Sequence, residues 1–288
     1  MSNIKQYIGN FYSFFVQGFF ALIMGALLPV ISNEYGLGYN IGGLLLAAHS
    51  LGSLTTNFSS GIIAEYIGRK LTIIIFSAFV AIGFILMTIT GNHVILILSY
   101  FFTGLGRGSI ANINNSIVND KSKSSTSALS LLHMFFAIGA FISPLITSYL
   151  SYNGLNWRFS AYLVVLLIAI MILVFIKMDV PVYERNKMKS KEKNNNVFLR
   201  NIVYYISCGL LFFYLGAESS VNGWLVTYLK DSGSMSTSTA QALLSVLWVV
   251  VMIGRLLCAY LSSKVSSKYI LLGSSVGLMA FFTIFLNS

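Results

Sequence analysis

The sequence predicts an all-α integral membrane protein of two related halves: a complete six-helix half, followed by the first three helices of a second half. Of its 288 residues, 56% are hydrophobic and only 9% are charged, and the mean hydropathy is +0.80. A soluble chain of this length could not bury so much apolar surface. Long apolar stretches and an internal repeat support the same fold class.

The apolar stretches are each close to the length of about 20 residues that a helix needs to cross a bilayer. The first stretch is too long for the apolar part of a signal peptide, and a second span follows it at once. In chain order the predicted spans are residues 11–31, 40–64, 71–90, 94–118, 127–150, 159–177, 199–229, 238–261 and 269–286.

The repeat is clearest in a ten-residue pattern, Gly61 to Lys70, which returns in weaker form 198 residues later as Ala259 to Lys268. Parallel repeats of this kind are typical of transporters. In this chain the repeat predicts a first half at 1–177, a linker at 178–198 and a partial second half at 199–288. A full copy would continue from about residue 292 with three more helices, so we expect the second half to be truncated after the ninth helix.

The positive charges predict the orientation in the membrane. The formal net charge is +10, but the cations are concentrated in every second loop, which is typical of a multi-pass cell-membrane protein rather than of a nucleic-acid-binding protein. The same distribution indicates a cytoplasmic amino terminus. One set of loops holds only Arg158 and Lys230. The amino-terminal segment and the opposite loops hold Lys5, Arg69, Lys70, Lys121, Lys123, Lys177, Arg185, Lys187, Lys189, Lys191, Lys193, Arg200, Lys264 and Lys268.

The repeated motif places small residues, Gly61 and Gly68, at the ends of a tight turn, with Glu65 beside Arg69 and Lys70. Plain positive-inside topology could explain the bases, but not the whole pattern. The motif resembles the signature loop between the second and third helices of the major facilitator superfamily, with Glu65 in place of an aspartate and Tyr66 where a base is usual. The resemblance implies the fold of that family and a conformational latch in which Glu65 and Arg69 act with an eleventh helix.

Two further segments resemble the fucose/proton symporter group and its hexose-transporting relatives. They are residues 214–229 in the seventh helix and 131–144 in the fifth. This resemblance implies uptake of a small hydrophilic solute, such as a hexose, by proton symport and alternating access, with no enzyme activity and no cofactor. Ser109 stands where the fucose symporter carries a glutamate, so that proton-coupling carboxylate does not carry over.

Glu218 is the only acid well inside a predicted span, and intramembrane carboxylates are usually functional. Arg107 lies at a similar depth in the fourth helix. In the family that the chain resembles, the first, fourth and seventh helices line the solute pathway. We therefore expect Arg107 and Glu218 to form a pair that solute or proton binding breaks; a static salt bridge between two helices is the alternative.

Sugar recognition combines apolar faces with amide and carboxylate partners. The remaining candidates for the pathway are Gln17, Asn112, Asn115, Asn222 and Trp224. Asn114 and Asn115 differ by about 100° around a helix, so one of them should face the cavity. Each amide could instead join two helices, and Trp224 could be an interfacial or packing residue. His49 and His133 fit packing better than function.

Two other functions stay open at this point. A truncated chain could be a non-transporting remnant that needs partner subunits, because the polar groups of its half-cavity would face lipid. A multidrug efflux transporter is disfavoured because the antiporter motifs around Arg107 and Pro144 are incomplete. The sequence shows no spacing typical of a metal site, and it leaves the oligomeric state open.

Overall fold

The computed structural model describes residues 7–121, 125–180, 201–233, 235–262 and 264–286, and the chain divides into two units, Met1–Ser245 and Val246–Ser288. The described residues form α-helices joined by short turns. In order the helices are α1 (Ile8–Tyr35), α2 (Tyr39–Ile67), α3 (Arg69–Ile89), α4 (His93–Lys121), α5 (Ser125–Tyr152), α6 (Arg158–Lys177), α7 (Ile202–Asp231), α8 (Thr237–Ser262) and α9 (Ser267–Leu286). The first unit holds α1 to α7 and the start of α8, and the second holds the rest.

The nine predicted helices all occur among the described residues, but seven of them are long and apolar enough to count as membrane spans by length and composition alone. Helix α2 is not among them, because serine, threonine, asparagine and histidine make it less apolar. Helix α9 is apolar over Lys268–Ile284, the part whose side chains the structure describes. Most of the predicted linker, from residue 181 onward, lies outside the described residues.

Helix α1 lies at the centre of the first unit, where it contacts α4, α5, α6 and α7. Glycines allow it to approach α5 closely. A Cβ atom on Gly18 would lie 2.0 Å from the carbonyl oxygen of Phe136, and one on Gly139 would lie 2.0 Å from that of Phe15. The two helices therefore meet backbone to backbone, as small residues permit between membrane helices.

Helices α2, α3, α4 and α6 complete the packing of this unit, since α4 contacts both α2 and α3, and α3 contacts α6. We name the two ends of the bundle by residues. The Tyr39 end is where α1 ends and α2 begins, and the Arg69 end is where α2 ends and α3 begins.

A polar cluster ties α1, α3 and α6 together at the Tyr39 end. Glu34 Oε1 lies 2.7 Å from Arg158 Nη2, and Trp157 Nε1 donates to Glu34 Oε2 at 2.5 Å. Arg158 Nε also donates to the carbonyl oxygen of Thr88 at 3.0 Å. The guanidinium thus joins the ends of three helices.

Candidate functional site

A row of polar side chains runs along α1 inside the otherwise apolar bundle. Asn10, Ser13 and Gln17 are all buried, and their spacing of three and four residues places them on one helix face. Asn10 Nδ2 donates to Asn114 Oδ1 at 2.7 Å, and Asn114 Nδ2 donates to Ser13 Oγ at 3.0 Å. This face of α1 is therefore bonded to α4.

Arg107 lies one step further along the same interface. The amide of Gln17 donates from Nε2 to the backbone carbonyl of Arg107 at 2.9 Å, while its Oε1 is buried with no partner among the described residues. The guanidinium is half-buried, and its Nη1 lies 3.4 Å from His49 Nε2 on α2. Helices α1, α2 and α4 thus meet around one positive charge.

Glu218 faces this charge from α7 without touching it. Its side chain is half-buried, and its carboxylate is near enough to stabilise the guanidinium of Arg107 electrostatically. However, the two groups are not joined by an ion pair within 4.0 Å. The expected pair is therefore not a direct salt bridge in this structure.

The two asparagines expected on α4 have different surroundings. Asn112 donates to Ser60 Oγ at 3.0 Å and to the carbonyl of Asn57 at 3.3 Å, so its amide joins α4 to α2. Asn115 is half-buried and its Oδ1 has no partner among the described residues. Its neighbour Asn114 is the one that faces α1.

Asn222 and Trp224 lie towards the Tyr39 end of α7. A Cβ atom on Gly25 would lie 2.0 Å from the carbonyl oxygen of Asn222, so α1 and α7 are in close contact there. Trp224 packs over Gly42, and its ring centroid lies 6.2 Å from that of Tyr39. Trp224 thus packs between α2 and α7.

Hydrogen bonds close the bundle at the Tyr39 end. Tyr39 donates to Asp231 Oδ2 at 2.8 Å, which links α2 to α7. Two more hydrogen bonds join the start of α8 to α5 and α1. Ser148 Oγ on α5 donates to the carbonyl oxygen of Ser238 at 2.7 Å, and Gln241 Nε2 donates to the carbonyl oxygen of Ala26 on α1 at 2.9 Å.

The other half of α7 is uncovered within the described part of the chain. Its side chains from Ile202 to Leu215 are almost all exposed, with Phe212 at 73% and Phe213 at 75%. The first six helices and α7 therefore meet at the Tyr39 end and separate towards the Arg69 end.

The Gly61–Lys70 motif forms the turn at the Arg69 end. Gly68 has φ of +85°, a conformation that favours glycine. Arg69 is 6% exposed and binds Asp120 Oδ2 at 2.6 Å and Ser116 Oγ at 2.9 Å.

The other residues of this motif differ in their contacts. Lys70 donates to the carbonyl of Ile176 at 2.6 Å. Glu65 is exposed, and Gly61 lies near the amide of Asn112. The motif arginine thus holds α3 against the end of α4.

Sequence reasoning did not select His49, Asn10, Ser13 or Asn114 as site residues. The polar row on α1 carried a usable signal, because a polar residue recurred every three or four positions in an apolar helix. His49 carried none, since only the fold places it beside Arg107. Within the described ranges no group of three or more His, Cys, Asp or Glu side chains could hold a metal ion.

Known relatives cover most of the chain. Protein TsgA homolog of Buchnera aphidicola (subsp. Baizongia pistaciae, strain Bp) is 24% identical over 294 residues, which cover 99% of this chain and 74% of that protein. The glucose/mannose transporter GlcP of Bacillus subtilis (strain 168) is 21% identical over 288 residues, covering 93% and 69%.

Solved structures share the fold at low sequence identity. A bacterial homologue of the human lysosomal transporter Spinster, inward-facing and unoccupied, matches with a TM-score of 0.73 and 17% identity, covering 92% of this chain and 64% of that one. A D-xylose-proton symporter matches with a TM-score of 0.66 and 13% identity, covering 89% and 68%. The chain thus spans between 64% and 74% of the length of these four proteins.

The family itself follows from a match over nearly the whole chain. The family model of the Major Facilitator Superfamily matches residues 10–288, and the structural matches show the same fold. This confirms the all-helical fold and a family of transporters rather than enzymes. The chain belongs to the Major Facilitator Superfamily.

Proposed function

We propose that the protein takes up a small hydrophilic solute, most simply a hexose, by alternating access with proton symport. The observation that carries this proposal is the polar centre of the first unit. The charges of Arg107 and Glu218 interact there without a direct ion pair, and Gln17 offers a buried acceptor with no partner among the described residues. A hydroxylated solute could accept from the guanidinium and donate to the other two groups.

The relatives support this class of solute. GlcP is a glucose/mannose transporter, and one of the structural matches is a D-xylose-proton symporter. The resemblance of the fifth and seventh helices to the fucose/proton symporter group points the same way. Glu218 is the proposed proton acceptor because it is the only carboxylate well within a span predicted from the sequence. Asn115 and Asn222 are proposed to extend the pathway along α4 and α7.

The packing of α7 supports alternating access. With the amino terminus in the cytoplasm, as the charge distribution predicts, the Tyr39 end is extracellular and the Arg69 end is cytoplasmic. The contacts at the Tyr39 end and the uncovered half of α7 then correspond to an inward-facing state. The Gly61–Lys70 motif is proposed to act as a latch on the cytoplasmic side, where Glu65 is exposed and available to a further helix.

The test is uptake into liposomes that contain the full chain. We expect radiolabelled D-glucose, D-mannose or D-xylose to accumulate when the outside is made acidic, and to equilibrate without accumulation when no pH difference is imposed. Export of a lipophilic cation such as ethidium, with no sugar uptake, would favour efflux instead. Movement of none of these probes would favour the partner-dependent remnant.

A further inference from the structure

His49 lies inside the bundle, where the sequence predicts only a packing residue. It is 6% exposed and is brought to α4 by a close contact of the two helices, since a Cβ atom on Gly104 would lie 2.0 Å from the carbonyl oxygen of His49. Its ring lies between Thr103, with Nδ1 and Oγ1 at 2.9 Å, and Arg107, with Nε2 and Nη1 at 3.4 Å. Both ring nitrogens thus have a partner on α4.

The directions of these hydrogen bonds determine the form of the ring. A guanidinium can only donate hydrogen bonds, so Nε2 of His49 must accept from Arg107 and carries no proton. Nδ1 therefore bears the proton and donates to Thr103 Oγ1. The hydroxyl of Thr103 in turn donates to the carbonyl oxygen of Tyr100 at 2.7 Å, which leaves its oxygen free to accept. The whole chain of bonds runs in one direction, from Arg107 to Tyr100.

We propose that His49 is a positioning residue, which holds the guanidinium of Arg107 at the solute site as a neutral acceptor fixed in its Nδ1-protonated form by Thr103. This proposal rests on the proposed function in one respect, that Arg107 contacts the solute. A carboxylate at this place would neutralise the guanidinium and occupy two of its donors. Neutral imidazole takes one donor and leaves the charge and the other donors of Arg107 for the solute and Glu218.

Two substitutions separate the two sides of the ring. In His49→Gln the side-chain oxygen can reach the place of Nε2 and still accept from Arg107. In His49→Asn the shorter side chain keeps a polar partner near Thr103 but does not reach Arg107. If His49 positions Arg107, His49→Asn should weaken equilibrium binding of D-glucose to the full chain at least about tenfold relative to the wild type, the loss expected for a hydrogen bond to a charged group. His49→Gln should keep most of the wild-type affinity. Equal affinity in the two variants would overturn the proposal.

A second measurement does not depend on which solute is carried. Nitrogen-15 NMR of the histidine-labelled protein distinguishes a protonated from an unprotonated ring nitrogen, and the signal of His49 is the one that disappears in His49→Gln. We expect Nδ1 to be protonated and Nε2 unprotonated, and we expect Thr103→Val to reduce that preference. A doubly protonated ring or an Nε2-protonated ring would overturn the proposal. If none of D-glucose, D-mannose and D-xylose binds, the proposed function fails, but the NMR result still tests the Nδ1-protonated form of His49 that this proposal requires.

Discussion

The close approach of α2 and α4 depends on Gly104, and one added methyl group should push the two helices apart. A Cβ atom there would lie 2.0 Å from the carbonyl oxygen of His49, whereas such contacts are essentially never shorter than 3.0 Å, so the backbones must separate by about 1.0 Å. Overpacking of this kind costs about 1–3 kcal/mol, and alanine recovers about 1 kcal/mol of helix propensity. Since backbone atoms cannot rotate away, the overpacking cost should lie near the upper end of that range, about 3 kcal/mol, which leaves a net loss of about 2 kcal/mol after the gain in helix propensity.

The apparent melting temperature of the full chain in detergent measures this loss. Gly104→Ala should melt about 4 °C or more below the wild-type protein. Gly61→Ala is the matched control on α2, because its Cβ would come no nearer than 3.9 Å to any neighbour, the amide of Asn112. It should melt at or above the wild-type temperature. A Gly104→Ala variant as stable as Gly61→Ala would refute the reasoning from close packing.

Two further predictions concern the Tyr39 end. Arg158→Lys should lower the apparent melting temperature by about 2–4 °C, because a lysine cannot bind Glu34 and the carbonyl of Thr88 together as the guanidinium does; an unchanged melting temperature would show that the cluster contributes nothing to stability. Tyr39→Phe removes the hydrogen bond to Asp231 and should raise the population that is open at this end about twofold, since exposed polar contacts contribute little. Electron paramagnetic resonance distances between spin labels on α2 and α7 would detect the change, and an unaltered distribution would contradict a gating role.

The helices could be predicted from the sequence because membrane spans need long apolar stretches. The predicted span 159–177 agrees closely with α6, Arg158–Lys177. The predicted span 11–31 is shorter than α1, which continues to Tyr35. The next residue, Gly36, has φ of +63° and caps the helix. The helix thus extends beyond the apolar stretch as far as its glycine cap, and hydropathy alone does not predict where it ends.

The site was predicted less completely, because composition identifies a polar residue but not the neighbour that it faces. Arg107 and Glu218 stand out as charges within apolar helices. For Asn112 the sequence alone does not show which neighbour its amide faces. In the structure the orientation of α4 turns this amide towards Ser60 on α2. His49 was undervalued for the same reason: its importance depends on Arg107, which is 58 residues away in the sequence.

The most direct test of solute transport through this polar centre is initial sugar uptake by liposomes containing the full chain, with Arg107→Gln and Glu218→Gln examined singly and together. Lys177→Gln is the control, because it removes an exposed charge at the end of α6. If Arg107 and Glu218 form one site, each single variant should lose most of the proton-driven uptake, the double variant should lose little more, and the control should match the wild type. Wild-type uptake by both single variants would contradict the account.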